Sequence, residues 1–455
     1  FHPDPTVGRQ SGFLIPRIED NSTTGLSFNL PYFIALAENK DITLSPRFFA
    51  DDKLLFQTEF RQKNKNSDHI IDLSQYISNG ENTKGHVFYN LNKNYENDNF
   101  DEIEFNIQLE QVSDETYLKA YKVKSPIINN TSNLTNSVGI NLINENSSLN
   151  TNLDIYEDLS KEDSDKYEYV PNFSFSKILN ENNVLYSKGY YKNYSTNITE
   201  KVLINNYEYS SSPKFLNNGI VNEKKLLVRN VNSSASNSGK FKNKNSLSLF
   251  PSFQTNYSLP LTKETTKSRN TLTPKLSLRL STPHTKDVRT TDRKISYNNI
   301  YDLDRLGMDE SNEGGISLTY GYEYSIVDKL SSDEKIKFAF ANNLRLEENK
   351  DLPLNSNLGD KISDFVGNFE YKPNKNLKFD YDFSLKNNLN DVNYELYGFE
   401  FYLKYLTTKF EYQNENNSNL KTSYLNNETR LNLNDKNSLI FETRENKEKS
   451  FTEFY

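Results

Sequence analysis

Between Leu272 and Ile326 the chain alternates apolar and polar residues on either side of a long polar excursion. Leu276, Leu278 and Leu280 share one face of an extended run, against Ser277, Arg279 and Ser281. The alternation resumes with Ile316, Leu318, Tyr320, Tyr322, Tyr324 and Ile326, interleaved with Ser317, Thr319, Gly321, Glu323 and Ser325. A run of about 9–11 residues at period two is what a tilted strand needs to cross a bilayer. Two such strands joined by a hydrophilic loop form the repeating unit of a transmembrane β-barrel.

The same pattern recurs along the chain. Residues 1–11 are proline-rich and unperiodic and read as a linker; from Gly12 the sequence becomes strand-like. Leu26, Phe28, Leu30 and Tyr32 alternate, then Ile42, Leu44 and Pro46, then Leu54, Phe56, Thr58 and Phe60. Ile103 to Leu109 alternates against Glu104, Asn106 and Gln108, and the connection QVSDET leads to a further extended stretch, Tyr117 to Val123. Residues 124–170, rich in Asn, Ser and Asp, read as strands with long exposed loops, and NSSASNSGKFKNKNS as a solvated loop. Later faces are Ile336, Phe338 and Phe340; Leu377, Phe379, Tyr381, Phe383 and Leu385; and Tyr397, Phe399, Phe401, Leu403 and Tyr405. Turn signals such as KPNKN and LNDKN separate them at hairpin spacing. At about 18 residues per strand and connection, the chain holds roughly 22–26 strands. So many charged residues on the second face need a wide lumen. The expected fold is all-β: a large transmembrane antiparallel β-barrel over residues 12–455.

Composition sharpens this picture. Hydrophobic residues make up only 35% of the 455, yet there are 30 Tyr and 29 Phe, which a disordered chain of such polarity would lack. Strands with one greasy face reconcile the two, and Tyr suits the membrane–water interface. No apolar run is long enough for a membrane-crossing helix. A net charge of −8 argues against a nucleic-acid partner.

Candidate chemistry is sparse. There are no cysteines, and His2, His69, His86 and His284 are scattered singly, without the spacing of a zinc site. No G-x-S-x-G, P-loop or dinucleotide-binding turn is present, so neither a catalytic site nor a cofactor is expected. A catalytic arrangement at a barrel wall would need a Ser–His pair on neighbouring strands, and His284 with Ser281 falls in a loop. Asp302, Asp304, Asp309 and Glu310 lie close together, but their spacing departs from a calcium-binding loop. The segment 302–313 therefore reads as a solvated external loop without metal.

Several stretches resemble one family, the LPS-assembly proteins of the Gram-negative outer membrane (LptD, organic solvent tolerance protein). Residues 9–61 carry GFLIP, LPY and TLSPRF in the order found where that family passes into its barrel. VSDETYLKAY, residues 112–121, is similar to a short family motif. LTPKLSLRLS with DRKISYNNIYDLDRL and EGGISLTYGYEYS resembles mid-barrel strands and their loop, and NSLIFETREN a later strand.

The resemblance implies lipopolysaccharide transport without covalent chemistry. In the family, prolines in the first two barrel strands are held to weaken pairing with the last strand and so create a lateral gate; Pro16 and Pro31 match those positions. Implied partners are lipopolysaccharide, an outer-membrane lipoprotein plug of the LptE type, and a periplasmic bridge protein of the LptA type. That bridge protein docks on a jellyroll domain, which the family carries ahead of its barrel. The family barrel also continues past the position of Tyr455 through a Cys-containing segment, so the chain is expected to be a fragment lacking both ends. The alternative reading is a generic large outer-membrane channel or a plugged nutrient receptor.

Overall fold

A computed structural model of the chain describes residues 9–19, 24–49, 53–78, 80, 82–161, 166–194, 198–283, 286–416, 421–434, 437–448 and 451–454. The fold is almost entirely antiparallel β-structure, and its strands are joined mainly to their sequence neighbours. The chain divides into two compact units: residues 1–179, 184–205 and 231–248, and residues 180–183, 206–230 and 249–455. Among the described residues, no helix is long and apolar enough to cross a membrane, which says nothing about crossing by strands.

In the second unit, Ser268–Ser281 pairs with Gly315–Asp328, and the two alternating faces meet like to like. Leu276 faces Tyr320, Leu278 faces Leu318 and Leu280 faces Ile316. These side chains sit on one face and, apart from the half-buried Leu318, are exposed, with Leu276 at 41% and Ile316 at 42%. The opposite face is polar and buried: Ser277, Arg279, Ser317 and Thr319 are each at most 3% exposed. A soluble sheet hides its apolar side, so this inversion has a physical reading. The apolar face has hydrocarbon for solvent, and the polar face is covered by protein. Cross-strand aromatic pairs reinforce the outward side, with Tyr381 and Tyr397 ring centroids 4.4 Å apart and Phe379 and Phe399 4.9 Å apart.

The first unit repeats the arrangement from Lys40–Phe49 through Tyr167–Asn180, its strands linked alternately by two-residue turns and longer connections. One longer connection corrects a sequence expectation. Tyr117 to Val123 is not a strand: Tyr117–Ala120 forms a single helical turn. The Asp114 carboxylate accepts from the Thr116 backbone N–H at 3.0 Å and the Thr116 hydroxyl at 2.7 Å, ordering the approach to that turn. The turn brings Tyr117 and Tyr121 together at 5.3 Å, and both are buried. A period-two reading could not anticipate this, because the apolar residues there serve i, i+4 contacts.

The connection 124–132 is largely exposed or half-buried, as its composition leads one to expect, but it carries one apolar anchor. Ile127 is buried in a cluster with Leu118, Tyr121, Val123 and Leu134. The strands Asn133–Asn144, Ser147–Asp158 and Tyr167–Asn180 follow as expected.

Candidate functional site

The first hairpin carries both prolines singled out in the sequence. Its strands are broken: Gly12–Phe13 pairs with Tyr32–Phe33, and Arg17–Glu19 pairs with Ser27–Asn29. Pro16 lies in one break and Pro31 in the other. Three residues, 14–16, separate the paired segments on the first strand and two, 30–31, on the second, so the register slips by one across the break. Proline supplies no N–H to a ladder. One carbonyl stitches the hairpin at the gap, Pro31 O accepting from Leu14 N at 2.8 Å, while Leu30 N donates away from the hairpin, to Pro46 O on the neighbouring strand Lys40–Phe49 at 3.1 Å. Phe13, Ile15, Ile18 and Phe28 remain exposed on this weakly paired hairpin.

The hairpin is also tied inward. Glu19 lies 3.4 Å from Arg47, whose guanidinium donates to the Tyr121 carbonyl at 2.6 Å. Arg47 thus links the first hairpin to the inward helical turn. Beneath that turn the Tyr117 hydroxyl lies 2.6 Å from Ser74 Oγ, and Ser74 Oγ lies 2.5 Å from His86 Nδ1. Asp72 sits 3.3 Å from His86 Nε2 but off the line of a hydrogen bond, and instead accepts from Gln57 Nε2 at 2.9 and 3.0 Å. The sequence reading missed this Ser–His–Asp grouping, although Ser74 and His86 are directly paired on adjacent strands. Its hydroxyl is engaged on both sides and packed under Tyr117, a residue with no exposed surface. The group is a relay that pins the inward turn. His2 and His284 fall outside the described residues, so the pairing of His284 with Ser281 is not described.

The third element overturns the solvated-loop expectation. Between Ser281 and Gly315 the chain folds onto the buried polar face. Val288, Ile295, Ile300 and Leu306 are at most 3% exposed, and they form a core with Ala339, Ala341, Leu352 and Leu358. Glu313 has no exposed surface. It accepts two hydrogen bonds from Arg305, at 2.8 and 2.5 Å, and a further one from Arg345, with Arg279 at 4.0 Å. Burial alone would push the Glu313 carboxyl up. The guanidiniums of Arg305, Arg279 and Arg345 outweigh it and hold the group well below the usual carboxylate range. Asp304 pairs with Arg229 at 2.9 Å, and the Met308 and Ser311 carbonyls also accept from Arg229. At the other end Lys294 reaches Glu415 at 3.2 Å.

Of the four acids that the sequence placed in this loop, Asp304 meets a strand arginine, Arg229, from which it is separated by 75 residues. The acid at the centre of the arginine cluster, Glu313, is not one of the four. Gly321 is part of the same fit. A Cβ there would strike the Phe340 carbonyl and come within 2.6 Å of the Tyr301 hydroxyl. The loop therefore packs directly on backbone.

The model of the LptD family, LPS transport system D, matches residues 83–440. An LPS-assembly protein LptD of Pseudoalteromonas atlantica is 27% identical over 113 residues, which is 25% of this chain and 15% of that protein. One from Pseudomonas savastanoi is 47% identical over 60 residues, 13% of this chain and 6% of that protein. The matched stretches thus span a small part of these relatives. Among solved structures, a mutant ferric enterobactin receptor of Pseudomonas aeruginosa is 10% identical, covering 90% of this chain and 76% of the receptor at a TM-score of 0.31. With the family model spanning most of its length, the chain belongs to the LptD family of LPS transport proteins and is an integral β-barrel protein of the outer membrane.

Proposed function

We propose that the chain forms the barrel of an outer-membrane translocon, moving lipopolysaccharide from the periplasm into the outer leaflet through a polar lumen and a lateral exit. One observation carries the exit: Pro16 and Pro31 occupy the two breaks of a single hairpin and leave it short of ladder hydrogen bonds. A wall segment held by few such bonds is the least costly to part. Residues 1–11 are the linker into residues 12–455, which form the barrel; residues 1–8 lie outside the described residues. The glycolipid's sugars pass along the polar face while its acyl chains enter the membrane at the exit. The loop folded against that polar face narrows the path. A lipoprotein plug of the LptE type inside the barrel and a periplasmic bridge protein of the LptA type complete the route. No bond of the substrate is made or broken.

The test is a photo-crosslinking residue at Phe33, beside Pro31, in the full-length protein in its own outer membrane. Lipopolysaccharide adducts at Phe33, and none at the outward-facing Tyr322, are expected. Equal labelling at both positions removes the exit and leaves a generic channel.

A further inference from the structure

The outward face of the first unit carries a groove of about 1030 Å³ that transport through a lumen does not use. Phe173, Gly189, Tyr191, Lys201, Leu203 and Leu247 line it. Tyr191, Leu203 and Leu247 are exposed, while Val202 and Ile204, the neighbours of Leu203 in sequence, are buried on the other face. The groove therefore opens on the side that meets the membrane. Gly189 forms its floor: a Cβ there would come within 2.6 Å of the Phe173 ring and 3.3 Å of the Val202 carbonyl.

Its polar features are unusual for a lipid-facing surface. Lys201 is exposed on that face, with its ammonium 5.5 Å from the Tyr191 ring. Asn232 and Ser234 also line the groove. A lysine in hydrocarbon is costly unless its head reaches the interface or an anion. Just beyond lies the connection Asn237–Asn245, carrying exposed Lys240, Lys242 and Lys244. That connection has a defined form: the Ser238 hydroxyl donates to Glu200 at 2.5 Å and accepts from the backbone N–H groups of Lys240 and Phe241 at 3.0 and 3.1 Å. No Asp or Glu occurs between Glu223 and Glu264. In this unit two-residue turns close one end of the strands and longer connections close the other, the end that holds this lysine-rich segment. Long connections are the extracellular ones in outer-membrane barrels.

We infer that this groove docks the lipid A part of an outer-leaflet lipopolysaccharide molecule on the outside of the wall. One acyl chain lies along Phe173, Leu203 and Leu247, and its phosphates meet Lys201 and the lysines of the 237–245 connection. The charge decides the occupant: an acyl lipid carrying several phosphates satisfies several cations at once, which a lipid with a single phosphate does not. The inference rests on the outer-membrane placement of the chain and does not depend on the exit at Pro16 and Pro31.

The experiment places a photo-crosslinking residue at Leu203 in the full-length protein, folded in detergent. It is mixed separately with bis-phosphorylated lipid A, dephosphorylated lipid A and phosphatidylglycerol. Labelling by bis-phosphorylated lipid A should exceed the other two at least fivefold. It should fall to their level in a variant combining Lys201→Glu, Lys240→Glu, Lys242→Glu and Lys244→Glu, whose retained heat-modifiability reports an intact fold. Equal labelling by all three lipids, or labelling indifferent to the charge reversal, overturns the site and leaves ordinary boundary lipid. Adducts at Phe33 report the exit separately. Their loss with Leu203 labelling intact removes the transport reading alone.

Discussion

Arg305 and Glu313 form a two-pronged ion pair with no access to solvent, Nε to Oε2 at 2.8 Å and Nη2 to Oε1 at 2.5 Å. The same Arg305 donates to Asn343 at 2.8 Å and to Ser317 at 3.0 Å, both on the strand wall. One side chain thus closes the inward loop on itself and fastens it to two strands. Removing one member of such a pair leaves an uncompensated buried charge.

Glu313→Gln therefore exposes the loop. Three arginines would share a neutral amide, and the loss is expected to be about 3–5 kcal/mol of loop stability. Limited proteolysis between residues 286 and 313 reads it: the wild-type loop is expected to resist cleavage and the variant to be cut. An uncut variant would show that the apolar core around Ile300 and Leu306 holds the loop unaided.

Acid should release the same loop. The carboxyl of Glu313 is depressed in the folded state, so its stabilisation is fully present above its ordinary value of 4.5 and is lost as pH falls below that. Cleavage of the wild-type loop by an acid-active protease is expected to rise steeply below about pH 4. Glu313→Gln should be cut at every pH with little further change.

Gly321→Val should unseat Tyr301. The added side chain occupies the space between the Phe340 carbonyl and the Tyr301 hydroxyl, an overpacking that costs about 1–3 kcal/mol. The midpoint of heat modification should drop, and Gly321→Val with Tyr301→Ala should recover part of it. No recovery would place the strain in the strand pairing and not in the loop.

Tyr117→Phe and Tyr117→Ala separate hydrogen bonding from packing in the first unit. The Phe variant loses the contact to Ser74, about 1 kcal/mol, while the Ala variant also opens a cavity and costs about 3–5 kcal/mol. Thermal unfolding of the two variants should differ by that margin. Equal midpoints would mean that the relay, and not the buried ring, anchors the turn.

Pro16→Ala with Pro31→Ala should mend the first hairpin. Each replacement restores an N–H that can enter the ladder, worth about 0.5–1.5 kcal/mol where it finds a carbonyl. The variant should resist heat better and deliver less lipopolysaccharide to the cell surface, read by surface labelling of new glycolipid. Faster delivery from the stiffened hairpin would count against the exit.

Strand periodicity alone determined the wall. Leu276, Leu278 and Leu280 against Ser277, Arg279 and Ser281 fix which side each residue faces, because alternate side chains of a strand must point opposite ways. Pro16 and Pro31 were visible for a similar reason: a missing donor is a property of the residue itself. Their opposition across one hairpin was decided by register. What lies against the polar face was decided only by tertiary structure. Nothing local in DLDRLGMDESNE distinguishes a solvated loop from one drawn inward. The difference rests on Arg229, Arg279 and Arg345, strand residues remote in sequence, and on the open backbone at Gly321. Likewise Ser74, His86 and Tyr117 each look ordinary in the sequence. They meet because two adjacent strands and a folded-back turn converge at one point, and convergence of distant segments leaves no mark on any one of them.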